Sequence, residues 1–303
     1  MKFYISLFFL LPVLCLAQTL SGRIVDKNTN LPIDAATIFF KESKYTLFSN
    51  NKCEFLINLN AQNTTDELLI SSIGYEDLVI KLLNYPENKE NHAVFQLVPK
   101  REQLEEVIIK NEKTEYSWAK TISSKRKPEM GFSFQFGAEN VRLIQNPYRK
   151  KGKIKKVILS LNKWKSDKKW KLDYHTAYSI KFYSFDKRTQ KPGKEIYDKN
   201  IIVEPENKAY DFVIDVDSLS IPFSVDGVCV GVEYVNTKYE NPKKVFAVIA
   251  PGLNFYEEKS FKPVLSWYRY RGESQEFQTR IFKEGKERYH DVLVMDLVVN
   301  TEK

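Results

Sequence analysis

Three histidines, His92, His175 and His290, are all the imidazole this 303-residue sequence carries. A zinc peptidase needs His and carboxylate ligands at close spacing plus a third ligand. Only His92, with Glu87 and Glu90 nearby, resembles the start of such a set. A solvated histidine on an edge strand is the plainer reading of His92. Asp173-Tyr-His175 and His290-Asp291 are the close His–carboxylate pairs, and each reads as a surface hydrogen bond. No Gly-x-Ser-x-Gly elbow, His-Glu-x-x-His motif or phosphate-cradling glycine loop occurs. A glycosidase needs only two carboxylates, and spacing alone cannot pick a pair from 39 acids. The expectation is a protein with no catalytic, metal-binding or cofactor-binding residue and no cofactor. A carboxylate-based glycan hydrolase stays open as an alternative.

Charge and aromatic rings offer a second kind of chemistry. The formal net charge is +8, and residues 99–160 alone hold 15 basic and seven acidic side chains. From Arg142 to Lys171 there are 12 basic residues and one acid, Asp167. Such a run can hold an anionic polymer. Lys150, Lys151, Lys153, Lys168 and Lys169 are the candidate polyanion-binding residues, expected to be exposed. Trp164 and Trp170 lie inside the run, and Ser266-Trp-Tyr-Arg-Tyr-Arg271 is a second aromatic cluster. Flat rings stack on sugar faces, so Trp267, Tyr268, Trp164 and Trp170 are candidate glycan-stacking residues. Two plainer readings compete. Lysines also guard strand edges against mispairing, and Trp and Tyr are ordinary sandwich-core residues. Val157, Leu159 and Leu161 mark part of the basic run as a core strand.

The N-terminus, MKFYISLFFLLPVLCLAQ, has a positive start at Lys2, an apolar stretch over residues 3–16 and small residues before Gln18. It reads as a secretory signal peptide over residues 1–17, too short to favour a retained membrane helix. Acylation of Cys15 is the rival reading, and Leu14 stands where that modification favours a small residue. The expected location is the periplasm or outer-membrane surface, or outside the cell. Nucleic acid is a poor partner for an exported protein; an envelope protein, anionic glycan or anionic lipid is a better one. Cys53 and Cys229 are far apart in sequence and read as isolated buried thiols, although an oxidising compartment permits a pair.

The elements that must position these residues are strands. Aromatics make up 14% of the chain, which favours β-structure. Six candidate strands within residues 18–98, Phe55–Leu59 among them alternating at period two, are separated by polar turns, which implies an all-β sandwich. Gly22-Arg-Ile-Val-Asp26, Leu31-Pro-Ile-Asp-Ala-Ala-Thr-Ile38, Ser49-Asn50 through Phe55, and Ile73-Gly-Tyr-Glu76 occur in that order. With these motifs the segment resembles the carboxypeptidase-regulatory-like domain common in Bacteroidetes envelope proteins. The resemblance implies a transthyretin-like or immunoglobulin-like sandwich and an accessory rather than catalytic role. The family usually has Gly two residues before the Phe. Cys53 stands there instead, so the turn is expected to differ, since Gly commonly supplies a positive φ.

Residues 99–129 are mostly charged, with an apolar island at Val107-Ile-Ile109, and read as a linker. Leu104-Glu-Glu-Val-Ile-Ile109 resembles the stretch that follows this domain in TonB-dependent receptors, where an extended segment can pair with a periplasmic partner. The plainer and favoured reading of Val107–Ile109 is the last strand of the sandwich, or a strand docked on it. Fewer than 200 residues follow, too few for a 22-strand barrel. Residues 130–303 show about eight to ten period-two segments and no long amphipathic helix. A larger, jelly-roll-like antiparallel sandwich is expected there. Its strand order loosely resembles the C-terminal sandwich found behind such domains in Bacteroidetes proteins. The functional expectation is a non-catalytic envelope binding or scaffold protein, with a carbohydrate-binding module as an alternative.

Overall fold

The computed structural model describes residues 18–33, 36–42, 46–49, 52–59, 65–72, 74–85, 91–100, 114–124, 126–164, 172–197, 199–235, 248–270, 276–285 and 287–303. Among these the regular structure is all β, apart from two short 3-10 turns at Leu82–Asn84 and Asp217–Leu219. No helix there is long and apolar enough to cross a membrane. The signal segment 1–17 and the Val107–Ile109 island lie outside the described residues.

Seven strands build the first sandwich: β1 (Gln18–Asp26), β2 (Thr37–Phe40), β3 (Thr46–Phe48), β4 (Glu54–Leu59), β5 (Glu67–Ser71), β6 (Leu78–Lys81) and β7 (Asn91–Leu97). One sheet has the order β4-β1-β7, with β1 and β7 parallel; the other has the order β3-β2-β5-β6. Period-two alternation decides which side chains meet between them. Leu20, Ile24, Phe55, Ile57 and Phe95 point in from one sheet, and Ile38, Phe40, Leu47, Leu68 and Ile70 from the other. Gly22 lets β1 approach β7 and β4 together. A Cβ there would fall 1.9 Å from the Ala93 carbonyl oxygen and 2.8 Å from the Phe55 ring.

The motif residues meet in space. Asp26 ends β1, and its Oδ1 accepts the backbone N–H groups of Asn28 (2.7 Å) and Thr29 (2.8 Å), which closes the turn. Its Oδ2 accepts the Tyr75 hydroxyl at 3.0 Å. These bonds, led by that from Thr29, hold the Asp26 carboxyl below its ordinary range. At Cys53 the turn keeps the positive φ of the glycine it replaces, at 64°. A non-glycine residue accepts that conformation at a cost of about 1–2 kcal/mol.

The second sandwich is larger than the sequence pattern suggests. Its first group of strands is β8 (Lys120–Ile122), β9 (Met130–Phe132), β10 (Ala138–Ile144), β11 (Gly152–Asn162), β12 (Leu172–His175), β13 (Ala177–Asp186), β14 (Lys191–Glu195) and β15 (Ile201–Val203). Then come β16 (Tyr210–Asp215), β17 (Pro222–Phe223), β18 (Val228–Val235), β19 (Val248–Ala250) and β20 (Gly252–Glu258). The last are β21 (Ser266–Tyr270), β22 (Ile281–Glu284), β23 (Glu287–Leu293) and β24 (Met295–Thr301). One sheet runs β14-β13-β18-β10-β21, with β15 on β13. The facing sheet runs β22-β23-β20-β11-β24-β8, with β16 and β17 on β11 and β9 on β20. Tyr178, Ile180, Phe182, Val230 and Val232 from the first layer pack on Val157, Leu159, Leu293, Leu297 and Val299 from the second. Arg142 ties the layers together, its guanidinium donating to the Leu293 (2.9 Å) and Met295 (2.7 Å) carbonyls.

Several expectations are corrected in detail. β3 was not foreseen. The Gly131–Phe136 alternation yields a strand only to Phe132, after which Phe134 and Phe136 serve as core side chains. The apolar run 292–299 is two strands, with Val294 between them. Of the span 99–129, residues 116–122 belong to the second sandwich. Tyr116 bridges to Glu302, and β8 pairs with β24 through Ile122 and Leu297.

The two cores are separate, but the sandwiches touch. β2 and β3 are buried on both faces. Phe48 packs with Ala177, Val235 and Ile202. The Phe39 and Tyr270 rings meet edge to face at 5.8 Å. A Cβ on Gly137 would fall 2.6 Å from Thr46 Oγ1. The side of β2–β3 that faces away from its own core is therefore covered by the β13-β18-β10 sheet.

Candidate functional site

The turn between β10 and β11, which crosses from one sheet to the facing one, carries part of the basic run into solvent. Arg149, Lys150 and Lys151 are exposed at its tip. Asn146 shapes the tip, its Nδ2 donating to the Lys150 and Ser224 carbonyls, both at 2.7 Å. Lys153, expected to be exposed, is half-buried instead and bonded to Asp217 at 2.8 Å; Lys155 reaches the same carboxylate at 3.2 Å. These lysines, Lys153 foremost, hold the Asp217 carboxyl below its ordinary range. Part of the positive charge is thus spent within the fold. Lys168, Lys169 and Trp170 lie outside the described residues.

The candidate stacking residues divide by burial. Trp267 is 3% exposed, in a cluster with Val141, Leu143, Tyr183, Cys229 and Phe277. It is a core residue, and a glycan-stacking role for it is corrected. Its strand pairs with β10, and alternation turns Trp267 to the side that the chain near Phe277 covers. Tyr268 is half-buried, with the Arg280 guanidinium 4.7 Å from its ring centre and its hydroxyl on Gln278. Trp164 is also half-buried. It lies against Gly252, where a Cβ would sit 2.6 Å from the indole nitrogen, and Asn207 holds its backbone at both ends of the peptide.

The sequence reading missed Trp118. It precedes β8 and is 93% exposed. Tyr116 lies two residues before it, with Lys153 Nζ 5.6 Å from the ring centre. Lys120 lies two residues after it and sits 4.4 Å over the Tyr148 ring. The signal available in sequence was a lone tryptophan within a charged, polar connector.

Two buried carboxylates do stand side by side. Glu139 on β10 and Glu233 on β18 are directly opposite across the strand pair and are 0% and 1% exposed. Tyr183 donates its hydroxyl to Glu139 Oε1 at 2.6 Å, and Arg269 donates to Glu139 Oε2 at 2.8 Å. Lys181 bonds Glu233 and lies 4.0 Å from Glu139. Burial pulls the Arg269 guanidinium down, but Glu139, Tyr183 and Glu233 more than reverse this and hold it above its ordinary value. Two acids and two bases thus neutralise one another in a closed cluster. Buried charges persist when paired in this way. A substrate reaches neither carboxylate unless the sheet opens.

The His–carboxylate pairs are corrected as well. His290 is fully buried, with its ring 5.0 Å from that of Phe261, and its Nε2 accepts the Leu265 N–H at 3.3 Å. Burial holds the imidazole below its ordinary value, against the pull of Glu258. Asp291, 4% exposed, faces Arg280 at 3.5 Å. Neither is a surface hydrogen bond, because adjacent residues of a strand covered on both sides are both interior. His175 is half-buried at the end of β12. His92 sits on edge strand β7 and is bonded to Ser21 at 2.9 Å in exposed surroundings. It borders a shallow groove of about 540 Å³, with Ser21, Arg23, Glu54, Leu56 and Val94 around it. Cys53 and Cys229 are both buried, and no disulfide joins them. Burial pushes the Cys229 thiol up to about 12, so it stays protonated at neutral pH.

Fold and surface define an all-β, two-sandwich protein whose second unit presents a cationic turn between β10 and β11. Residues 20–109 match the family model of the CarboxypepD_reg-like domain. A search of curated proteins finds no match. Among solved structures, the chain is similar to one described as the cysteine protease and lectin-like domains of Cwp84, a surface layer associated protein of Clostridium difficile. The identity is 8% and the TM-score 0.35, over 89% of this chain and 59% of that one. A TM-score at that level is too low to carry fold or function across.

Proposed function

We propose that the chain is a non-catalytic binding protein of a bacterial envelope, exported with loss of residues 1–17. The regulatory-like domain serves as an accessory module, and the second sandwich supplies the contact surface. One observation carries this reading. The exposed cations Arg149, Lys150 and Lys151 are gathered on the turn between β10 and β11, while the adjacent carboxylates Glu139 and Glu233 are sealed by Lys181 and Arg269. Charge of one sign recruits a polyanion without needing a nucleophile or an open acid pair.

The test combines retention and turnover. Purified protein should bind an anionic matrix and elute with rising salt, because exposed charges are screened within about 10 Å at 0.1 M ionic strength. Incubation with acidic polysaccharides should release no new reducing ends. Turnover that disappears on replacing a single carboxylate would overturn the reading and favour the hydrolase alternative. Mass spectrometry of the exported protein should find Gln18 or pyroglutamate first, and a lipidated Cys15 would contradict the proposed processing.

A further inference from the structure

The connector does more than join the sandwiches. Ser117 is pinned to β24 at several points. Its N–H donates to the Thr301 carbonyl (2.8 Å), its carbonyl accepts Asn300 Nδ2 (2.9 Å), and its hydroxyl lies 3.1 Å from that of Thr301. On the other side of β24, Thr301 pairs with Gly152 and the Glu302 N–H donates to the Lys151 carbonyl (2.8 Å). Two strand spacings, about 10 Å, therefore separate the connector backbone beside Trp118 from the cationic turn where it enters β11. A fixed backbone holds the indole of Trp118 in solvent, where it contributes almost nothing to the core.

The surroundings are cationic and aromatic. Lys120 rests on Tyr148 and Lys153 on Tyr116, which orders both lysines beside the exposed ring. Arg149, Lys150 and Lys151 complete the positive side. Of the nearby acids, Asp217 is engaged by Lys153 and Lys155 and Glu115 by Lys303, while half-buried Glu302 lies opposite Tyr116.

We infer that Trp118, Tyr116, Lys120, Lys150 and Lys151 form a binding site for an acidic polysaccharide. A pyranose ring stacks its C–H face on the indole, and its carboxylate, sulfate or phosphate group meets the ammonium groups. This rests on the non-catalytic binding reading and gives it a ligand class. An anionic bilayer fits less well. Insertion favours several apolar side chains together, and the residues flanking Trp118 are Ser117, Ala119 and Lys120.

The test uses the full exported chain with fluorescein-labelled alginate and heparin as probes, neutral dextran as control, and phosphatidylglycerol vesicles as a separate arm. Binding to at least one acidic glycan and not to dextran is expected. Trp118→Ala should weaken it about tenfold, as loss of an aromatic contact near 1.4 kcal/mol would. Trp118→Phe should retain most of the affinity. The double variant Lys150→Glu/Lys151→Glu should weaken binding and flatten its salt dependence. Circular dichroism should be unchanged, since these side chains are exposed. Wild-type affinity in both Trp118→Ala and the charge-reversal variant would overturn the site while leaving the non-catalytic reading in place. So would failure to bind either glycan, or capture by vesicles alone. Cleavage of the glycan would instead overturn the broader reading.

Discussion

At the scale of single residues, Asp26 and Tyr75 belong to separate motifs, yet a hydrogen bond of 3.0 Å ties them together, while the Asn28 and Thr29 N–H groups bond Asp26 and close its turn. His290 gives a direct pH test. Its folded pKa is depressed by burial, so below its ordinary value of about 6.5 the unfolded chain binds a proton that the folded chain does not. Stability should therefore fall as pH drops through and below that value. Asp291 works in the opposite direction at lower pH: burial raises its folded pKa, so it favours the folded state while protonated and withdraws that support as pH rises. His290→Gln keeps an acceptor for Leu265 and does not titrate. It should flatten the fall in Tm between pH 6.5 and the acid limb, measured by thermal melts across pH. An unchanged slope would remove His290 from the account.

Strand pairing sets the next scale. Gly22 lies where β1 meets β7 on one side and β4 on the other. Gly22→Ala would place a methyl group against the Ala93 carbonyl and the Phe55 ring. It should cost about 3 kcal/mol, the upper end of overpacking effects, read as a lowered denaturation midpoint. A neutral result would show that β1 can shift within the ladder. The all-β pattern and most strands were legible because alternation at period two is a local property. β3 escaped because three residues are too few to show a period. β8 escaped because Lys120-Thr-Ile122 is mostly exposed and is recruited only by pairing with β24.

Across the whole molecule, the contact between sandwiches is small, apolar and formed by a face that an isolated sandwich would leave in water. Phe48 is 2% exposed, and its covering comes from Ala177, Val235 and Ile202. Phe48→Asp places a charge there, and the sandwiches should separate while each keeps its fold. Small-angle scattering should then report a radius of gyration above the roughly 19 Å expected of a compact chain of this length, with the far-ultraviolet dichroism retained. An unchanged radius would show that other contacts hold the pair.

The amino-acid order by itself determined the β class, the regulatory-like resemblance borne out over residues 20–109, the two buried thiols and the cationic run. Each depends on composition or on spacing within a few residues. Tertiary structure decided which side of each strand meets water, and that depends on partners far away in sequence. Trp267 and Trp118 are the same residue type in polar company, yet one is buried under the chain near Phe277 and the other stands 93% exposed. Glu139 and Glu233 lie 94 positions apart and become neighbours only because β10 and β18 pair. Burial then closes them off, since two desolvated carboxylates persist only when cations such as Lys181 and Arg269 pair with them.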